Sequence, residues 1–406
     1  MTADRDINKY NSKPVKLILT TEALSSLVNQ VFQILLPWYI LVSTDSVIWL
    51  GIAGFASIAP SVFSSLWGGA VIDKIGRSKT MLICEATQLI LITLIPLLII
   101  TDYAKPWLIS SIIFLSGFFD EPGQMSRQAL MPTYSRLAGM PLHRVTGIRE
   151  ALDGIMAVGG PILGGAVIAF YGVFQAWTLA AFLCFAIVCI AIKIFNSRKP
   201  RVKPNSTTYA MAWKNLTHDR FLLKVILITL PLFILGQSWE LLILPAYVHV
   251  FKHGSLFLGT LEAAFGLGAF IGAVYYAAAG KKFKFFTLSV INYSAYALSV
   301  LVLMYNLPKI LVIGATGICG LPFGAFSAMV ITIILSRAPE ETRGKTLGFF
   351  AAGAALTESV FILIISFLLK QAGLFNTLQS VLVFFILIII AALFARRGED
   401  GPPINR

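Results

Sequence analysis

The chain is 406 residues long, 57% hydrophobic and 13% charged, with 32 Lys and Arg against 19 Asp and Glu and a net charge of +13. Soluble domains are about 45–50% apolar and about 25% charged, so the composition excludes an ordinary water-soluble enzyme. Apolar runs of about 20 residues recur from end to end, each long enough to cross a hydrocarbon core of roughly 30 Å.

The start, MTADRDINKYNSKPVK, is polar. No small-residue cleavage site follows the first apolar run, so no removable signal peptide is expected. The pattern predicts an all-α membrane protein of twelve transmembrane helices, at 17–42, 48–72, 80–100, 107–131, 144–170, 174–196, 222–249, 256–279, 286–305, 310–335, 347–370 and 375–395. The longest polar connection divides them into an N-terminal six-helix bundle (1–196), a cytoplasmic linker (197–221) and a C-terminal six-helix bundle with a short cytoplasmic tail (222–406). YAMAWKNL within the linker has the length of a short interfacial helix. With the N-terminus cytoplasmic, the outer side receives only Lys105, Lys252, Lys309 and Lys370, and the other 28 bases fall inside. The positive-inside rule therefore places both termini in the cytoplasm. The surplus of bases serves topology, and no nucleic-acid partner is called for.

Span one carries Glu22, Ser26, Asn29 and Gln33 at steps of four, three and four, a polar stripe that a lipid-facing helix would not bear. The turn between spans two and three, GGAVIDKIGRSKTM, packs Asp73, Lys74, Arg77 and Lys79 into seven residues. Gly69 lets a neighbouring helix approach, and Gly76 permits a tight turn. Asp73 suits the positive end of another helix, and Arg77 has the reach of a carboxylate on a neighbouring span. This order of Gly, Asp, Gly and Arg resembles the loop signature of the major facilitator superfamily. The resemblance implies a transporter in which these four residues form a breakable latch. A plain positive-inside loop is the alternative.

Span four contains FFDEPGQMSRQ. Asp120, Gln124 and Arg127 share one helical face, Glu121 lies about 100° away, and Pro122-Gly123 loosens the helix. A central charge costs about 2.5–3.5 kcal/mol on insertion scales and marks a cavity or a partner. This group is the expected proton-binding site, with a packing-only polar pair as the alternative. Span five, GIREALDGIMAVGGPILGGAV, opens with Arg149, Glu150 and Asp153, a gating cluster. Arg149 and Asp153 are one turn apart and able to pair, or either acid receives Arg77; inert packing is the alternative. Gly160-Pro161 invites a kink, and Gly164-Gly165 offers a bare face. Gly147, Gly160, Pro161, Gly164 and Gly165 resemble the signature of the drug–proton antiporter branches, with Met156 at the second glycine position. An ordinary glycine-rich packing helix is the alternative.

The second half echoes the first: Pro37 to Gly51 and Pro245 to Gly259 are equally spaced. Two parallel six-helix repeats with a site between them is a transporter architecture. Span seven places Gln237, Trp239 and Glu240 near mid-depth, and Glu262 and Glu358 are single acids in spans eight and eleven. Phe233, Trp239, Phe323 and Phe326 are candidate aromatic walls. His249 and His253 end span seven; metal binding is one option, a solvated helix end the preferred one. The loop AGKKFKFF keeps the bases of its counterpart in the first half and lacks the acid. PEETRGKTLG resembles a Pro-acid-acid-x-Arg-Gly run of the same superfamily, and the polar first span with Pro60 in span two resembles its macrolide-efflux and enterobactin-exporter branch. Cys84, Cys184, Cys189 and Cys319 lie in apolar runs and read as small hydrophobes. No nucleotide motif appears, and no metal or cofactor is expected.

The sequence thus predicts a secondary active transporter of a bacterial-type inner membrane, not an enzyme. It is expected to act as a monomer in the bilayer and to exchange protons for an amphipathic organic compound, drug-like or siderophore, by alternating access. An importer of a small organic solute or a lipid flippase on the same fold is the alternative.

Overall fold

The computed structural model describes residues 13–196, 220–280, 283–337 and 343–396. Helices α1 (Lys13–Thr44), α2 (Val47–Ile75), α3 (Arg77–Ile100), α4 (Pro106–Leu137), α5 (Leu142–Tyr171) and α6 (Val173–Phe195) make up the first half. In the second half, α7 (Arg220–Ser238) runs through a π-helical turn at Trp239–Ile243 into α8 (Leu244–Val250). Then follow α9 (Ser255–Ala279), α10 (Phe285–Met304), α11 (Lys309–Arg337) and α12 (Arg343–Arg396).

Connections are short because single residues reverse the chain. Gly76, at φ 98, separates α2 from α3 as the sequence predicts, and Gly172, at φ 97, separates α5 from α6; only glycine adopts such angles without strain. The last two expected spans join in one 54-residue helix, broken only by Gly373 at φ 76, ψ 173. Ten segments among the described residues are long and apolar enough to cross a membrane. Helix α4 is not one of them, since Asp120, Glu121 and Arg127 interrupt its apolar run. Twelve separate spans are therefore seen here as eleven continuous helical rods. The segment YAMAWKNL, most of the linker, part of AGKKFKFF, the start of PEETRGKTLG and the last ten residues lie outside the described residues.

Each half packs internally, α3 on α4 and α6, α1 on α5 and α6, and α10 on α11 and α12. The halves meet along α2–α12 and α5–α9. Small residues set these seams. On α9, Gly268 and Gly272 sit on the carbonyls of Gly317 and Leu321 of α11, and Gly320 and Gly324 of α11 return the contact onto Phe265 and Ala269. Both helices use the four-residue glycine spacing that lets backbones touch in lipid. On its other side α9 meets α5: Gly259 lies under the carbonyl of Pro161, and Gly266 against that of Ala157.

Candidate functional site

A cavity of about 790 Å³ lies between the halves. The polar stripe of α1 faces it, Glu22, Ser26, Asn29 and Gln33 together, as helical spacing requires. So do Asp120, Glu121, Gln124 and Arg127 of α4. From the second half come Gln237, Glu240, Glu262 and Glu358. With Glu150 and Asp153 of α5, eight carboxylates face the cavity among the described residues, and Arg127 is the one cation among those that line it. These eight are drawn from only 19 acids in the chain.

The first half balances its deep charges. Arg127 is 2% exposed. Its Nε donates to Glu22 at 2.7 Å, its Nη2 to Ser25 at 2.8 Å, and its Nη1 to Glu85. Arg149 reaches across from α5, its Nε donating to the other oxygen of Glu22 at 2.7 Å. Two arginines thus meet two buried acids, and the four side chains are neutral together. Arg149 also pairs with Glu150 at 2.6 Å and with Asp153, one helical turn on, at 3.2 Å. A buried arginine fits this place because its planar fork serves several acceptors at once.

Several expectations change. Arg127 does not hold Asp120 by a hydrogen bond; Gln88 of α3 donates to Asp120 Oδ1 at 3.0 Å instead. No carboxylate partner is seen for Arg77 among the described residues, and its Nη1 donates to the main-chain carbonyl of Ala129 at 2.8 Å. The loop is therefore tied to α4 inside the first half, because α4 runs beside the start of α3. Gly69 and Asp73 fall within α2; their surroundings lie outside the described residues. Trp239 does not line the cavity. It is 1% exposed and packs edge-to-face on Tyr296, 6.0 Å between ring centroids. Phe233, Phe323 and Phe326 also pack on other rings, and the aromatic lining is Phe32, Phe265 and Phe270.

Two residues escaped the sequence reading. Glu85 is 3% exposed in α3 and is a direct partner of Arg127. Its signal was an acid inside the otherwise apolar MLICEATQLILITL. Gln88 follows one turn later on the same face.

The cavity is shut at one end and reaches solvent at the other. At the shut end Gly160 packs on Gln30 and Gly164 on Val31 of α1, while Gly165 meets the start of α9. Helix α5 stays continuous through Pro161, so closure comes from bare backbone contact and needs no break in the helix. Ser255 donates to the Gly165 carbonyl at 3.1 Å, and Ser366 of α12 to the Val47 carbonyl at 2.7 Å. Beyond them His249 lies 2.6 Å from Asp45, so it ends its helix in a cross-half pair. His253 stands apart from it among Tyr247, Phe251 and Phe257. Among the described residues, no group of three or more His, Cys, Asp or Glu is placed to hold a metal ion. At the opposite end the Glu150 side chain, 68% exposed, brings the cavity to solvent. A side chain added at Gly147, on the same end of α5, would meet open space.

Comparison with known proteins agrees with this geometry. The family model described as Major Facilitator Superfamily matches residues 18–304. The chain is similar to the multidrug efflux pump Tap of Mycolicibacterium fortuitum, 22% identical over 398 residues, covering 95% of this chain and 97% of that one. It is also similar to Tap of Mycobacterium tuberculosis H37Rv, 24% over 378 residues and 90% of each. The staphyloferrin A transporter of Staphylococcus aureus is 23% identical over 197 residues, 48% of each chain. Among solved structures, the nucleoside transporter NupG superposes with a TM-score of 0.74 at 14% identity, over 94% of this chain and 100% of that one. A D-xylose–proton symporter superposes with a TM-score of 0.69 at 14% identity, over 97% and 98%.

Proposed function

Since the chain belongs to the Major Facilitator Superfamily and is an integral multi-pass protein of the bacterial inner membrane, we propose that it exports an organic cation or amphipathic compound in exchange for protons. The carrying observation is the cavity: eight carboxylates and one arginine face a space of about 790 Å³ that is shut at one end. Charges so deep in a membrane protein mark an ion or substrate path. Their sign favours a cationic cargo and disfavours an anionic iron chelator. The efflux pumps among the relatives support the outward direction. Asp120 and Glu121, facing the cavity without an arginine of their own, are the proposed proton carriers on the first half. Residues 1–196 and 222–406 act as the two moving bundles of a single chain. With both termini cytoplasmic, the arrangement seen is open inward, and the Asp45–His249 end is the outer gate.

Transport in proteoliposomes under an imposed pH gradient tests the reading. A lipophilic cation should accumulate only in vesicles with an acidic interior, and protons should leave as it enters. Uptake that is indifferent to the gradient removes the antiport claim. Uptake driven by protons entering on the same side as the cargo makes the protein an importer.

A further inference from the structure

A second cavity, of about 330 Å³, lies between α2 and α4 of the first half. It shares no lining residue with the central cavity. Four rings line it, Trp49 and Phe55 from α2 and Trp107 and Phe114 from α4. Helical spacing explains the separation. Ile113, Gly117 and Gln124 of α4 face the central cavity. Trp107, Ser111, Phe114 and Phe118, at steps of four, three and four, form a neighbouring stripe on the side of α2. The stripe is open to its surroundings: Trp107 is 58% exposed, and Phe63 of α2, at the far end, 48%. In a chain that crosses a membrane those surroundings are lipid.

The groove has the length of one lipid chain. Trp49 is the third residue of α2 and Trp107 the second of α4, so both indoles stand at the level where tryptophans meet the headgroups. Lys105, exposed at the head of α4, marks the same level. From there the rings continue inward. Phe114 lies edge-on to Phe118 at 5.2 Å, and Phe118 stacks on Phe63 at 6.1 Å between centroids. The rise from Trp107 to Phe118 is about 16 Å, close to half of a hydrocarbon core of roughly 30 Å.

One polar group in the groove is unmet. Ser111 donates to the Trp107 carbonyl, one turn back, at 2.8 Å. Ser110, also in the cavity wall and 5% exposed, has no hydrogen-bond partner for its hydroxyl. Hydrocarbon offers no water to satisfy it, and a buried orphan marks a place where something else binds. Ser110 lies four residues inside the start of α4, about 6 Å along the helix. That is the depth of a phospholipid's fatty-acid esters, just beneath the headgroup.

We propose that this groove binds one phosphoglyceride from the leaflet on the Asp45 side. One acyl chain lies along Trp49, Phe55, Phe114 and Phe118, and the Ser110 hydroxyl donates to its ester carbonyl. The same stretch of α2 meets the other half, where Gly51 backs onto Ser366 of α12 and the Val47 carbonyl accepts from the Ser366 hydroxyl. The lipid braces the part of α2 that closes the shut end.

The test is photolabelling of the purified full chain in detergent micelles with a phosphatidylcholine that carries a diazirine midway along one acyl chain. Labelled peptides are mapped by mass spectrometry, and unlabelled phosphatidylcholines compete. Label should concentrate on residues 49–63 and 107–118. The ordinary diester lipid should compete about fivefold better than its diether analogue, which lacks the carbonyl, as the net worth of one hydrogen bond requires. Ser110→Ala should make the two competitors equal. Ser111→Ala should keep the preference, because that hydroxyl is already spent on the Trp107 carbonyl. Ile52→Trp, which fills the cavity from the side of α2, should lose the label with unfolding temperature unchanged. Label spread evenly over the lipid-facing helices means ordinary boundary lipid and overturns the proposal. So does equal competition in wild type, or a diester preference that survives Ser110→Ala. Displacement of the label by tetraphenylphosphonium, with no diester preference, makes the groove a cargo site and overturns it too.

Discussion

Arg149 Nε donates to Glu22 Oε1 at 2.7 Å, tying α5 to α1 through a carboxylate whose other oxygen accepts from Arg127. Glu22 is shared by an arginine with almost no water and one at the cavity's open end. Arg127→Ala leaves buried Glu85 without its cation and Glu22 with Arg149 alone, and should cost about 3–5 kcal/mol, seen as a large drop in thermal unfolding temperature in detergent. Arg127→Lys should recover little, since an ammonium lacks the fork that serves Glu22, Glu85 and Ser25 together. Arg149→Ala should cost clearly less. Equal losses at the two positions would contradict the proposed hierarchy.

Gly259 has no room for a side chain, because the Pro161 carbonyl occupies the space. Gly259→Val should hold α5 and α9 apart at the shut end. A cysteine replacing Gln30 should then react several-fold faster with an impermeant maleimide added on the side that carries Asp45. Unchanged reactivity in a folded variant means that this seam does not seal the cavity.

The Asp45–His249 contact, at 2.6 Å, joins the two halves at the shut outer end. His253 makes no such contact across the halves among the described residues; it packs among Tyr247, Phe251 and Phe257. It is held below the ordinary imidazole value by burial and then by Lys309. His249→Ala should therefore loosen the outer end and raise maleimide labelling of the cavity several-fold, and His253→Ala should leave it near wild type. Equal labelling in the two variants means that the Asp45–His249 contact does not hold that end shut.

Asp120 and Glu121 differ in their surroundings: Gln88 donates to the first, and no partner is seen for the second among the described residues. Glu121→Gln should abolish cargo-driven proton movement in proteoliposomes. Asp120→Asn, which can keep a contact with Gln88, should reduce it less. If both variants couple like wild type, the protons travel on other groups.

The helices were legible because apolar length and polar stripes are local signals. Glu22, Asn29 and Gln33 shared a face in the sequence and share the cavity in the structure. Partners were not legible. Arg127 finds Glu22 from 105 positions away and Glu85 from 42, and helical periodicity gives no information across helices. Asp120, on the same face of its own helix, was the partner that periodicity offered. Trp239 was named for its mid-depth, and depth alone does not say which face of a helix a residue occupies: Gln237 and Glu240 line the cavity while Trp239 packs on Tyr296. Gly373 interrupts α12 without ending the helix; the sequence marked that boundary by Lys370, Gln371 and the glycine but not that the helix continues past it.

The seam between α5 and α9 brings glycine against main-chain carbonyls. Few rotamers freeze when it closes and few are released when it opens, so side-chain entropy contributes little to the difference between the two states. The seam can thus part and re-form as two bare backbone surfaces, with almost no side-chain ordering at either step.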